Sequence, residues 1–229
     1  MRYNRIHPWN VSSKKAVELQ KKIAGEIQER PVRISGVTSV AGVDVSVRGD
    51  TCRAAVVVLS FPGLRVIETV THTEKVKFPY VPGLLSFREA PSVLKCVLKL
   101  RREPDVFIFD GQGKAHPRGT GIAAHLGLFL GKPSVGCAKS RLYGVFSVPG
   151  TEKGSYSPLK DPAGRDIGAV LRTRTGVKPV FISPGHLADI PSSVRLVLEC
   201  CKTFKLPETT RAAHKAASLS SRNGISGNP

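Results

Sequence analysis

The sequence predicts an α/β protein with one central mixed sheet flanked by helices, and three observations lead there. Val37 to Val47, Arg53 to Phe61 and Leu64 to Lys75 have strand character and are joined by tight turns, which makes an antiparallel meander. Val106, Phe107, Ile108 and Phe109 are apolar without alternation, as a strand buried on both faces requires. The segments on either side of that strand, Leu84 to Arg102 and His116 to Gly131, switch to a helical period. At 229 residues the chain carries one good core. Residues 1–217 therefore read as a single domain, and Ser218 to Pro229, rich in Ser, Gly and Asn, as a disordered tail.

Ser12 to Arg30 sets Ala16, Val17, Leu19, Ile23 and Ile27 among Lys, Gln and Glu, an amphipathic helix that Ser12 or Ser13 can cap. In the first strand Val43, Val45 and Val47 share one face, so Gly42, Asp44 and Ser46 share the other. Asp44 is cheap on a solvated face and costly on a covered one, where a metal ion becomes its simplest partner. Gly49 and Asp50 turn the chain into the second strand. Phe78 to Gly83 follows the meander, with Pro79 and Pro82 stiffening a loop that presents Tyr80. That ring either stacks on a nucleobase or tucks into the core. In the next helix Leu85, Val93, Cys96, Val97 and Leu100 line one stripe, and Glu89 falls on it. An inward Glu asks for a cation; the other reading is a frayed helix start near Pro91 that leaves Glu89 in water.

Asp110 ends the apolar strand and is followed by Gly111, Gly113, Lys114, His116 and Arg118. Open α/β sheets bind ligands at the carboxyl ends of their strands, so Asp110 marks either chemistry or an ordinary turn before a helix opened by Pro117. Pro133 to Ala138 is another short buried strand, and Lys139 after it faces the same edge as Asp110 if the two strands run parallel through the helical crossover. There Lys139 neutralises a phosphate or sits on the surface. Gly150 to Arg165 is an excursion or short hairpin, and Asp166 to Arg172 with Lys178 to Ile182 are two antiparallel edge strands. Ile190 to Phe204 and Glu208 to Leu219 are helices; a lone helical His such as His214 is structural unless other residues support it.

Lys and Arg number 35 against 17 Asp and Glu, a formal net charge of +18 that favours polyanions, nucleic acid first among them. The five cysteines include no CxxC pair, which argues against a disulfide scaffold or zinc site and for a reducing compartment. No apolar run approaches the ~20 residues of a membrane span, and no signal-like stretch follows Met1. A soluble, cytoplasmic monomer is the expectation.

Three antiparallel strands, a helix, a strand, a helix and a strand is the order of a ribonuclease H-like fold. Within that order the sequence resembles the endonuclease V family, deoxyinosine-directed DNA repair nucleases. The resemblance rests on Gly42-Val43-Asp44, on Pro79 to Glu89 (PYVPGLLSFRE), on Asp110 to Gly113 (DGQG) and on Ala115 to Arg118 (AHPR). Gly136 to Gly144 (GCAKSRLYG), Phe181 to His186 (FISPGH) and Leu206 to His214 (LPETTRAAH) complete it. It implies a magnesium-dependent hydrolase, with manganese able to substitute, whose metal-binding acids are Asp44, Glu89 and Asp110. His214 stands near that metal, Lys139 is the active-site Lys and His116 an active-site His. Tyr80 with Pro79 and Pro82 is a wedge, and Gly83, Leu85, Gly111, Gly113 and Leu142 surround a flipped hypoxanthine. The implied cut is at the second phosphodiester 3′ to the lesion, leaving 5′-phosphate and 3′-hydroxyl ends. Inosine-containing RNA as substrate, and a basic binding module without catalysis, are the alternatives. Thr209 departs from the family pattern, which commonly has a proline there, and is expected to loosen the start of the last helix.

Overall fold

The computed structural model of the protein describes residues 1–218; of the tail expected from Ser218, residues 219–229 lie outside them, and Ser218 itself ends the last helix. Helix α1 (Ser13–Ala24) begins where the Ser12 hydroxyl accepts the Lys15 N–H, and it stops at Gly25, short of the expected Arg30. Past Gly25 the backbone is used elsewhere: Leu187 N–H donates to the Gln28 carbonyl, and Gln28 N–H donates to the His186 ring.

Strands β1 (Ser39–Arg48), β2 (Thr51–Ser60) and β3 (Val66–Lys75) form the expected meander, with Val43 opposite Val56 and Asp44 opposite Ala55. Helix α2 (Leu85–Lys99) leads to β4 (Val106–Phe109), which lies parallel to β1 with Gly42 beside Ile108. Helix α3 (Ile122–Leu130) then returns the chain to β5 (Ser134–Ala138), parallel to β4. Helix α3 starts six residues later than the predicted His116. Gly121 N–H donates to the Gly113 carbonyl and Ala123 N–H to the Gln112 carbonyl, so the segment from 112 to 121 closes into a compact loop before the helix begins.

Strands β6 (Val145–Phe146), β7 (Tyr156–Lys160), β8 (Asp166–Leu171) and β9 (Val180–Pro184) extend the sheet, and α4 (Ile190–Glu199) and α5 (Glu208–Ser218) close the chain. The order is β3-β2-β1-β4-β5-β9-β8-β7-β6. The two strands predicted at an edge are therefore interior, because β9 pairs with both β5 and β8; every residue of β9 is buried, as that position demands.

Both faces of the central strands β1, β2, β4 and β5 are covered. Val40, Val57, Ile108 and Val135 pack with Leu196, Val197, Ala213 and Ala217 of α4 and α5 on one side. Ala41, Val43, Val56, Phe107 and Phe109 pack with Val93, Leu94, Val97, Leu126 and Phe129 of α2 and α3 on the other. All five cysteines are buried and free, as small core residues.

Candidate active site

Parallel pairing of β1 and β4 brings Asp44 and Asp110 to the same end of the sheet, and Asp110 N–H donates to the Val43 carbonyl at 3.0 Å. On the Gly42 face, α5 comes so close that a Cβ at Gly42 would lie 1.9 Å from the Thr209 carbonyl oxygen. Only glycine permits that approach. Thr209, where the family commonly has a proline, is fully buried in the first turn of α5. One turn further along the helix, His214 Nδ1 lies 2.8 Å from Asp44 Oδ2. The face that bears Asp44 is thus covered, and its side chain is 12% exposed.

Asp44, Asp110 and His214 each offer a ligand atom, and these atoms lie within 4.8 Å of one another. Lys139, delivered by β5, donates to Asp110 Oδ2 at 2.5 Å, so the parallel arrangement expected for β4 and β5 places it at the same edge. Glu89 approaches from α2 and stands outside this compact trio, yet it belongs to the same electrostatic field. Burial first, then the charge of Asp44, pushes its carboxyl from the usual 4.5 up to about 8, with Arg88 opposing and Asp110 adding to the rise. Asp44 is also raised, by burial and then by Asp110, against the hydrogen bond with His214. Carboxylates that hold one another up in this way are a site that a divalent cation relieves, and carboxylate oxygens with one imidazole are ligands such a cation accepts.

Beside these residues opens a cavity of about 320 Å³, within the range of roughly 300–1,000 Å³ typical of small-molecule sites. Asp110 and Lys139 line it together with Tyr80, Pro82, Gly83, Leu85, Gly111, His116 and Leu142. Of the residues expected around the base, Gly113 is elsewhere, and Pro79, expected in the wedge loop, does not line this cavity. Pro79 lines a separate cavity with Trp9 and Phe87. Gly113 is buried where a Cβ would meet the Pro184 carbonyl oxygen at 2.2 Å, so it serves close packing against β9. Tyr80 is 70% exposed at the cavity mouth, which removes the reading of a core residue.

His116 Nε2–H donates to the Gly83 carbonyl at 3.0 Å, while its Nδ1 accepts the Arg118 N–H at 3.1 Å. Burial lowers its pKa to about 4, with Arg118 adding to that and the Gly83 bond opposing it. Gln20 and Arg118 also reach the Gly83 carbonyl, at 3.0 and 2.7 Å. The sequence reading missed Gln20. Its signal was a polar residue on the buried stripe of α1, four residues after Ala16 and three before Ile23.

The sequence model of the Endonuclease V family matches residues 18–215. A curated endonuclease V from Methanothrix thermoacetophila is 47% identical over 214 residues, covering 93% of this chain and 94% of the relative. The chain belongs to the endonuclease V family. Among solved structures, endonuclease V from Bacillus subtilis superposes with a TM-score of 0.90 at 31% identity, over 95% of each chain. The endonuclease V of Ciona intestinalis, solved in complex with a 24mer DNA containing an inosine followed by a ribo-adenosine, gives 0.78 at 25% identity, covering 89% of this chain and 95% of that one. The ribonuclease H-like arrangement expected from the order of elements is the fold of this endonuclease V family member.

Proposed function

We propose that this chain hydrolyses a phosphodiester of inosine-containing DNA, at the second bond 3′ to the deoxyinosine, leaving 5′-phosphate and 3′-hydroxyl ends. Family membership makes it a nuclease, and the Ciona intestinalis relative was solved with inosine-containing DNA. The observation that carries the reading is adjacency: Asp110 belongs at once to the acidic cluster and to the wall of a base-sized cavity, Lys139 bonded to it lines the same wall, and the mouth bears an exposed Tyr80.

Asp44, Asp110 and His214, with Glu89 beside them, are the residues that would hold the cation. Bound magnesium supplies a lowered pKa for an attacking water and neutralises the charge that develops on the leaving oxygen. Lys139 acts as a charge. Although burial lowers its pKa, the hydrogen bond and charge of Asp110 raise it further, so the ammonium is retained and faces phosphate as a donor. Tyr80 fills the stack vacated by the extruded nucleotide, and Leu142 and Leu85 flank the base. Leu84 caps α2 without a side-chain hydrogen bond, so the first N–H groups of that helix, on Leu85 and Ser86, remain for the acceptors of hypoxanthine. The remaining positive surface serves the phosphate backbone.

The test is a cleavage assay in Mg²⁺ on matched oligonucleotides containing deoxyinosine in DNA, inosine in RNA, or no lesion. Cleavage confined to the deoxyinosine strand, one nucleotide beyond the lesion's own 3′ phosphodiester, is the expected result. Preferential cutting of inosine RNA would make the chain a ribonuclease, and binding without cutting of any strand would make it a binding module.

A further inference from the structure

A ring that is to enter a base stack has to be braced from behind. The two prolines around Tyr80 restrict the backbone locally, but they do not tie the loop to the body of the protein. At the start of the loop Arg88 Nη1 donates to the Phe78 carbonyl at 3.0 Å, and at its end the tie is the carbonyl of Gly83. A carbonyl oxygen has two lone pairs, and this one meets three side-chain donors: His116 Nε2 at 3.0 Å, Arg118 Nη2 at 2.7 Å and Gln20 Nε2 at 3.0 Å. Gly83 is favoured by its φ of +78°, and a Cβ there would lie 2.7 Å from Arg118 Nη2 and push the guanidinium out of place.

The donors are themselves held. Gln20 Oε1 accepts Arg118 Nε–H at 2.7 Å, Gln20 Nε2 also donates to the Thr120 carbonyl at 3.2 Å, and the Thr120 hydroxyl donates back to the Gln20 carbonyl at 3.1 Å. Gln20 is 1% exposed and Thr120 fully buried, so neither has water as an alternative partner. We infer that Gln20, Arg118 and His116 are positioning residues that clamp the Tyr80 loop through the Gly83 carbonyl and so fix the reach of the ring at the cavity mouth. This rests on the reading of Tyr80 as the wedge given above.

The clamp gives His116 a definite part. Its Nδ1 is occupied as an acceptor by the Arg118 N–H, so the single proton of the neutral ring sits on Nε2 and points at Gly83. His116 therefore works as a fixed N–H donor and carries no proton to or from substrate. The clamp also ties the N-terminal helix to the site, because Gln20 is the only one of the three donors that comes from α1.

Gln20→Leu keeps the size of the side chain and removes its contribution to the clamp, so we expect about a tenfold loss on duplex inosine DNA and little loss on a single strand, where less unpairing is needed. Thr173→Val is the control: it removes a hydroxyl that is also buried and donates to the Lys205 carbonyl, and it leaves the clamp and its supports untouched. It should lower Tm to a similar extent as Gln20→Leu while preserving the wild-type ratio of duplex to single-strand cleavage. His116→Gln, which can keep a donor near the Nε2 position, should retain that ratio, and His116→Ala should lose it. Amide hydrogen exchange over the Tyr80 loop should quicken in Gln20→Leu and His116→Ala but not in Thr173→Val. Unchanged exchange in Gln20→Leu overturns the clamp even if the wild type proves inactive on inosine, and equal losses in His116→Gln and His116→Ala overturn the role given to the ring.

Discussion

Replacing Glu89 with Gln in the metal-free protein should stabilise it, and the size of that effect follows from the site. Burial and the neighbouring Asp44 push the Glu89 carboxyl from 4.5 to about 8. A carboxyl whose folded-state pKa lies above its unfolded value contributes fully to stability below about 4.5, and that contribution is lost as the pH rises through about 8. At ~1.4 kcal/mol for each tenfold change in proton affinity, the interval amounts to at most about 5 kcal/mol. Glu89 keeps some contact with water, so about half of that, ~2–3 kcal/mol, is the sounder figure. Gln preserves the shape and removes the charge. In a chelator at about pH 8 to 9 the Glu89→Gln protein should melt higher than wild type by ~5–10 °C, given that ~1 kcal/mol moves Tm by ~2–4 °C at this chain length. Near pH 4 the two should coincide, since almost nothing is lost below the unfolded value of about 4.5. Saturating Mg²⁺ should then raise the Tm of the wild type more than that of the variant, because the cation relieves the repulsion that Gln has already removed. Thermal melts across pH, with chelator and with Mg²⁺, make the comparison. A variant that melts at or below the wild type at high pH in chelator would refute the claim that Glu89 is held in an unneutralised acidic field.

Asp44→Asn and Asp110→Asn should each reduce cleavage by a factor of about a thousand or more while leaving inosine-DNA binding measurable, because the acids serve the ion and the affinity comes from the basic surface and the cavity; cleavage rates at saturating Mg²⁺ beside gel-shift affinities check this. Tyr80→Ala should leave Tm unchanged, since the ring is 70% exposed, and should cut duplex cleavage more than single-strand cleavage, as expected for a stacking contact of ~1–3 kcal/mol; equal losses on both substrates would refute the wedge. Gly42→Ala forces a methyl to within 1.9 Å of the Thr209 carbonyl oxygen, so it should displace α5, cost ~1–3 kcal/mol of stability and weaken the Mg²⁺-dependent rise in Tm by moving His214 from Asp44. A Gly42→Ala protein with wild-type Tm and wild-type metal response would show that the close approach is not needed.

Local pattern alone determined the meander, the doubly buried β4, the helical periods of α1 and α2, and the positions of Asp44, Glu89 and Asp110, because alternation, apolar runs and punctuation by Gly and Pro are properties of neighbouring residues. The anomalies were legible for the same reason: an acid in a valine strand and a Glu on an apolar stripe are visible without any partner. Which of two readings each anomaly takes was a tertiary matter. Asp44 became a covered acid only because α5, some 170 residues away in sequence, crosses Gly42 and brings His214 to within 2.8 Å. The loop from 112 to 121 reads as the start of a helix until its carbonyls are seen to take the N–H groups of Gly121 and Ala123. Gly113 and Gly83 look alike in sequence, yet one admits the backbone of β9 and the other admits an arginine. Gln20 escaped notice because its partners come from two distant loops, and hydrogen-bond complementarity between distant segments leaves no periodic trace in the chain that folds to make it.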